Sequence, residues 1–299
     1  MRQSIFVAVI LVAACSVTAV GGHIYWSTAF GIWTADADGG NATQVVSGLW
    51  NVQGLAVDAA GGRIYWTELD GHRVARSHLD GTGIETLVDA QHGAYDAFAL
   101  ALHPTDQRLY WSDGGIARGA IRRAAFDGTG VQTIIPERAP GATALSIDPV
   151  GEKLYWTGYA AVAVERSNLD GSNIERIQHF PNGAFPTYGI SVDVPDRKVY
   201  WTASDRIQRS NLDGSCLEDV RFAQNTPIGI TVDSANRSLY WIEWYGDSKI
   251  WRADLDGSDA QPILDLAGTA LQIVAIPEPS TFFLLAIVAT GLVRARRAR

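Results

Sequence analysis

This chain is poor in cysteine, lacks any excess of positive charge, and shows no helical periodicity between its two ends. Two cysteines, Cys15 and Cys216, stand in 299 residues. They cannot form a disulfide framework, so stability must come from packing alone. Cys15 lies in a leader segment, and Cys216 is expected as a small buried side chain beside a turn. The 24 basic residues face 32 acidic ones, for a formal charge of -8. A nucleic-acid partner would need a basic face for its phosphates, and none is offered. Arg2 and the tail arginines Arg294, Arg296, Arg297 and Arg299 sit outside the middle of the chain. Without them and Glu278, 19 basic and 31 acidic residues remain, a net of -12. That middle repels anionic partners and attracts cationic ones at low salt. A charged content of 19% and a hydrophobic content of 47% still describe a folded globular chain.

The common catalytic signatures are missing as well. Six histidines, His23, His72, His78, His92, His103 and His179, form no His-x-x-x-His, and no Gly-x-Ser-x-Gly occurs. His72 and His92 read as isolated solvated residues, His103 as a turn residue. The Asp36-Ala-Asp38-Gly39 and Asp254-Leu-Asp256-Gly257 stretches lack the spaced third ligand and closing glutamate of a calcium loop. No catalytic residue, metal ligand or cofactor is expected.

What is present is a repeat. Tyr-Trp occurs at 25–26, 65–66, 110–111, 155–156, 200–201 and 240–241, in steps of 40, 45, 45, 45 and 40 residues. Each unit holds four short apolar runs. In the second they are Leu55 to Asp58, Arg63 to Thr67, Val74 to Leu79 and Ile84 to Val88. The β-branched and aromatic content marks strands, and Asp80-Gly81 marks a hairpin turn. Four strands per unit, six times over, predict an all-β six-bladed β-propeller of four-stranded antiparallel blades. The first Tyr-Trp has no inner run before it, while Ala270 to Ala275 has no blade after it. That last run is expected to be the inner strand of the first blade, closing the ring.

The repeated Asp-x-x-x-x-(Arg/Lys)-(aliphatic)-Tyr-Trp, followed by Leu-Asp-Gly at 79–81, 169–171, 212–214 and 255–257, resembles the class B (YWTD) repeat of the low-density lipoprotein receptor. In that family the propeller engages protein ligands, which implies a binding role here. The fourth motif residue is Asp only at Asp113, which weakens any role for that carboxylate.

Both ends read as export signals. Arg2, the apolar run Ile5 to Ala14 and Val17-Thr18-Ala19 make residues 1–19 a signal peptide. Val12-Ala13-Ala14-Cys15 also resembles a bacterial lipobox, which leaves lipidation of Cys15 open. At the other end, Pro277-Glu278-Pro279, the apolar stretch Thr281 to Val293 and the arginine cluster 294–299 resemble the bacterial PEP-CTERM sorting signal. The resemblance implies transient or permanent membrane attachment through residues 277–299 and processing by an exosortase-type enzyme. The product would then reach the outer surface or extracellular matrix. Residues 20–276 are left as the propeller.

Loop lengths separate two faces. From Asp58, His103, Asp148, Asp193 and Asp233 to the next Tyr is always seven residues. From Tyr to Asp-Gly takes 13, 15, 17, 15, 13 and 16 residues. In a meander the variable connections all fall on one face, called the top here, where binding loops vary over a fixed scaffold. Trp33 and Trp251 fall in third strands as core. The remaining unpaired aromatics, Trp50, Tyr95, Tyr159, Tyr188, Trp244 and Tyr245, lie in or beside top loops, with Phe98 and Phe185. Gln53, Phe98, Thr143, Tyr188 and Ile228 occupy equivalent places and should ring the channel mouth. The candidate ligand-binding set is therefore Trp50, Gln53, Tyr95, Asp96, Phe98, Tyr159, Phe185, Tyr188, Trp244 and Tyr245. Aromatic rings there favour a protein, peptide or glycan ligand of the cell envelope. A structural matrix component without a discrete ligand and a propeller hydrolase or lyase are the alternatives.

Overall fold

A computed structural model describes residues 22–114, 118–138, 141–158, 163–180, 187–244 and 248–277. The signal-peptide and tail readings otherwise lie outside these residues. The described residues form 24 strands in six four-stranded antiparallel sheets, with one 3-10 turn at Ala90–His92. Five blades are consecutive meanders. The first is built from both ends of the chain: Ala270–Ile276 pairs with His23–Thr28, placing Tyr25 opposite Val274 and Trp26 opposite Ile273. The ring therefore closes as expected.

Adjacent residues on a strand point to opposite faces, so each Tyr-Trp pair serves two seams. Tyr25 packs in one apolar cluster with Trp66, Tyr65 with Trp111, Tyr110 with Trp156 and Tyr155 with Trp201. Tyr200 joins Trp241, and Tyr240 meets Trp26 across the closure. Every seam thus holds the tyrosine of one blade and the tryptophan of the next, and the core is a ring of six such clusters. Trp251 stacks on Trp241 and half-buried Trp33 on Trp26.

The Leu-Asp-Gly segment also builds the seams. Its glycines, Gly39, Gly81, Gly128, Gly171, Gly214 and Gly257, have φ between +81° and +89°. A Cβ on any of them would lie 1.8–2.2 Å from a carbonyl oxygen of the preceding blade's outer strand. Glycine is thus required twice, by conformation and by contact. The carbonyl before each Asp-Gly is clamped in turn. Arg76 donates to Phe126 O at 2.9 Å, Arg123 to Leu169 O at 3.1 Å, Arg166 to Leu212 O at 2.6 Å and Arg209 to Leu255 O at 2.9 Å. The first and sixth blades depart from this rule. Thr34 stands at the arginine position and donates to Ile24 O, while Arg252 donates to Ser238 Oγ.

The constant seven-residue spacing has its own cause. Asp58, Asp148 and Asp233 each accept a backbone N–H from the following turn. His103 does the same, its Nδ1 accepting from Asp106 N at 3.2 Å, so it caps the turn from the last position of the strand Leu100–His103 and is not itself in the turn. Cys216 corrects an expectation. It is exposed, not buried, at φ +54° in the turn after Asp213-Gly214-Ser215.

Candidate functional site

Each blade sends one side chain to the mouth of the central channel. Gln53, Phe98, Thr143, Tyr188, Ile228 and Leu271, joined by Trp244 and Gln272, line a cavity of about 300 Å³. Thr143 and Ile228 are buried in its lining, Gln53, Phe98 and Tyr188 are half-buried, and Trp244 is 38% exposed.

The local sequence explains why these six positions converge. The third residue of the Tyr-Trp motif is Ser or Thr in five blades. In three of them its hydroxyl ties neighbouring inner segments together, whereas the Thr157 hydroxyl is buried without a partner among the described residues. Thr67 Oγ1 accepts Gly54 N and donates to Phe98 O. Thr202 Oγ1 accepts Gly189 N and donates to Ile228 O. Ser112 Oγ accepts Ala99 N and donates to Ala142 O. The residue after the mouth position is Gly or Ala in five blades, Gln272 being the exception, and at the glycines the blades approach closely. A Cβ on Gly54 would lie 2.5 Å from Phe98 O, on Gly189 2.4 Å from Ile228 O and on Gly229 2.8 Å from Leu271 O. The strand glycines therefore mark close backbone approach.

No Asp, Glu, Lys, Arg or His lines this cavity. The Thr143 hydroxyl donates inward to Thr187 O at 3.0 Å. Gln53 Nε2 donates to Asn51 Oδ1 at 2.5 Å, which leaves its amide oxygen as an acceptor. The mouth is thus a neutral cup with aromatic and aliphatic walls and two glutamine amides, suited to desolvating an apolar group.

A second, larger depression lies along the seam between the second and third blades, with a volume of about 1190 Å³. Tyr95 and Asp96 are in its lining, with His92, Asp113, Arg118, Arg122, Thr133 and Glu137. Asp113 Oδ1 accepts Asp96 N at 2.9 Å, and Arg122 donates to Asp113 Oδ2 at 3.0 Å. The Trp111 indole donates to Gly93 O at 2.7 Å and fixes the same loop.

The candidate residues therefore divide. Gln53, Phe98, Tyr188 and Trp244 share the mouth, while Tyr95 and Asp96 belong to the seam trough. Trp50 lines neither cavity. It is 65% exposed, and its backbone N–H donates to Glu68 Oε2 at 3.0 Å. Tyr159, Phe185 and Tyr245 lie outside the described residues. Sequence reading missed Leu271 and Gln272, because no Asp ends the last strand to count back from. The pairing of Tyr25 with Val274 and Tyr65 with Ala56 gives the missing register. It also missed Phe30, 71% exposed in the turn whose backbone bonds Leu49 and Asn51 on either side of Trp50.

Two further readings change. His72 is half-buried and His92 exposed, and neither is isolated: His72 stacks on Tyr95, with ring centroids 4.7 Å apart, and His92 Nδ1 lies 2.6 Å from Asp89 Oδ1. The fourth motif position also matters more than its single Asp suggests. Glu68 and Glu243 stand there too, buried, and accept the Trp66 and Trp241 indole N–H at 2.8 and 3.1 Å. Glu243 also caps Asn225 N. These carboxylates, with Asp113, anchor top connections. Among the described residues no three His, Cys, Asp or Glu side chains converge as metal ligands. In the Asp36–Asp38 segment, Asp36 accepts Asn41 Nδ2 and Asp38 accepts Gly40 N.

The fold defines the class of protein: a six-bladed β-propeller. Among solved structures it is similar to a chain of the nidogen/laminin complex, at 19% identity and a TM-score of 0.74, covering 85% of this chain and 98% of that one. TolB from Acinetobacter baumannii is similar at 12% identity and a TM-score of 0.68, covering 86% and 67%. A gluconolactonase from Xanthomonas campestris is similar at 21% identity and a TM-score of 0.59, covering 74% and 78%. These likenesses show the fold. No curated protein sequence matches the chain. Residues 275–297 match the PEP-CTERM protein-sorting motif. The chain is therefore an exported β-propeller carrying a C-terminal sorting tail for the cell surface, the substrate of exosortase processing. No helix of the described residues is long and apolar enough to cross a membrane.

Proposed function

We propose that this protein is a non-enzymatic binding module of the outer surface or extracellular matrix, whose mouth cavity receives an apolar side chain of a protein or peptide. The observation that carries this reading is the uncharged cavity to which all six blades contribute, with Trp244 half-open at its edge. A concave apolar cup beside a partly exposed tryptophan suits an anchoring side chain of a partner. General acid–base chemistry calls for an ionisable group at the reacting atoms, and the lining holds no Asp, Glu, His, Lys, Arg or Cys. The gluconolactonase likeness concerns the fold, on which many activities are built. The acidic body adds a preference for cationic flanking residues.

Selection of random peptides displayed on phage tests the reading. Recovered peptides should share one large apolar residue flanked by Lys or Arg. Affinity for them should fall about tenfold or more in the Tyr188→Ala, Trp244→Ala double variant, the effect of losing roughly 1.4 kcal/mol at an anchor. Unchanged affinity in a folded double variant would refute the mouth as the site.

A further inference from the structure

The trough along the second seam has a chemistry unlike that of the mouth. At about 1190 Å³ it exceeds the roughly 300–1,000 Å³ of sites for single small molecules. Its size therefore suits an elongated ligand. Its lining is polar and of mixed charge, with Asp96, Asp113 and Glu137 against Arg118 and Arg122. Arg122 pairs with Asp113 at 3.0 Å, and Arg118 with Glu137 at 3.7 Å. A polyanion would meet Asp96, Asp113 and Glu137, and a polycation the two arginines, so neither is favoured.

At the top of the trough stands Tyr95, 60% exposed. The His72 ring lies nearly parallel to it, with 17° between the planes, and His72 Nδ1 bonds the Tyr95 carbonyl. The tyrosine ring is therefore backed on one side and open on the other, a stiff flat platform that loses little entropy on contact. Next to it is Asp96, whose backbone N–H is fixed by Asp113. Its carboxylate is half-buried and can only accept hydrogen bonds. An open aromatic face beside an acceptor carried on an anchored backbone matches a sugar ring, which presents C–H groups on its face and hydroxyl donors at its edge. A peptide fits less well. Strand addition needs a continuous open backbone edge, and on the second blade's side that edge is interrupted, the Leu87 carbonyl being covered by Gly128, where even a Cβ would lie 2.2 Å from it.

We propose that the trough between the second and third blades binds a neutral, elongated polysaccharide, with one sugar ring stacked on Tyr95 and its hydroxyls bonded to Asp96. This site is separate from the mouth and does not depend on the mouth's proposed role.

The test uses the full chain in a non-glycosidic detergent, titrated calorimetrically with four neutral hexasaccharides. These are β-1,4-linked glucose, α-1,4-linked glucose, β-1,4-linked mannose and β-1,4-linked N-acetylglucosamine. Saturable binding of at least one is expected. Tyr95→Ala should weaken it about tenfold, the scale of one aromatic contact. Tyr95→Phe should retain it, Asp96→Asn should weaken it and Trp244→Ala should leave it unchanged. The Phe variant separates loss of the platform from loss of the fold. The proposal fails if none of the four binds. It fails equally if Tyr95→Ala binds as the parent does, or if peptides or dextran sulfate rather than neutral sugars bind with dependence on Tyr95.

Discussion

The bottom and the top of this propeller are built by opposite rules. At the bottom, the same residues recur at every seam with the same contacts: a glycine at positive φ under the preceding blade's carbonyl, and at four seams an arginine over the next blade's carbonyl. At the mouth, six equivalent positions hold Gln, Phe, Thr, Tyr, Ile and Leu, and the backbone beneath them is fixed by repeated hydroxyl bridges. Repetition therefore marks scaffold and variation marks the recognition surface. The rule implies that bottom substitutions change stability without changing recognition, and top substitutions the reverse.

The largest expected effect is at a seam glycine. Gly171 has φ +84°, and a Cβ would lie 2.0 Å from Ile134 O. Gly171→Ala must both strain the backbone and part the third and fourth blades. A loss of about 3 kcal/mol or more is expected in chemical denaturation, from left-handed strain plus overpacking. Any folded fraction should bind selected peptides as the parent does. A loss under about 0.5 kcal/mol, the scale of ordinary surface changes, would show that the seam is not where the ring is held.

The arginine clamp comes next. Arg166 donates to Leu212 O at 2.6 Å and pairs with Glu175 at 2.6 Å. Glu175 is largely exposed, so the ion pair itself contributes little. The carbonyl clamp is the larger part, and Arg166→Ala should cost about 1–2 kcal/mol by denaturation. Glu175→Gln, which keeps the clamp, should cost much less. Equal losses would mean that the ion pair, not the clamp, secures the seam.

How far the sequence showed all this follows from the same division. The blades, the closing strand and five mouth positions were legible because Tyr-Trp and Asp-Gly recur at fixed spacing, and spacing fixes register. The destination of each recurring residue was not legible. Nothing in Leu-Asp-Gly says that its glycine lies under a neighbouring blade, because that contact joins residues far apart in sequence. Spacing placed Tyr188 at the mouth but left Tyr95 only as a loop aromatic, because the trough loop is set by bonds from the neighbouring strand, Asp113 to Asp96 N and Trp111 to Gly93 O. Glu68 and Glu243 hold other top connections in the same way. Glu replacing Asp in two copies hid that role.

Acid should act on the repeated side first. Glu85, Glu175 and Glu218 are held below the usual carboxylate range by hydrogen bonds from Arg76, Arg166 and Arg209. Asp80, Asp127, Asp170, Asp213 and Asp256 are held low by the hydroxyls of Thr82, Thr129, Ser172, Ser215 and Ser258. A carboxyl group with a lowered folded pKa contributes its stability fully above the unfolded value. That contribution is lost as pH falls through the folded value. The denaturation midpoint should therefore be flat down to about pH 5 and fall below about pH 4. The mouth has no carboxylate, so binding of a peptide with neutral flanks should persist until the fold itself is lost, while Lys or Arg flanks lose their attraction to the acidic body. Neutral-flank binding that weakens while the protein is still folded would place a carboxylate in the site.

The smallest effect tests the repetition itself. The residue three after each Asp of Asp-Gly has φ between +52° and +67°, and it is Asn41, Gly83, Gly130, Asn173, Cys216 or Asp259. Five of these are residue types that tolerate the left-handed region. Cysteine is not, since its side chain offers no local hydrogen bond to offset the contact of Cβ with the backbone. Cys216 is exposed, so its replacement should disturb no packing. Cys216→Asn should therefore raise stability by a few tenths of a kcal/mol, and Cys216→Gly should fall near the parent because glycine also frees the unfolded chain. A destabilising Cys216→Asn would mean that the thiol makes a contact the repeat does not share.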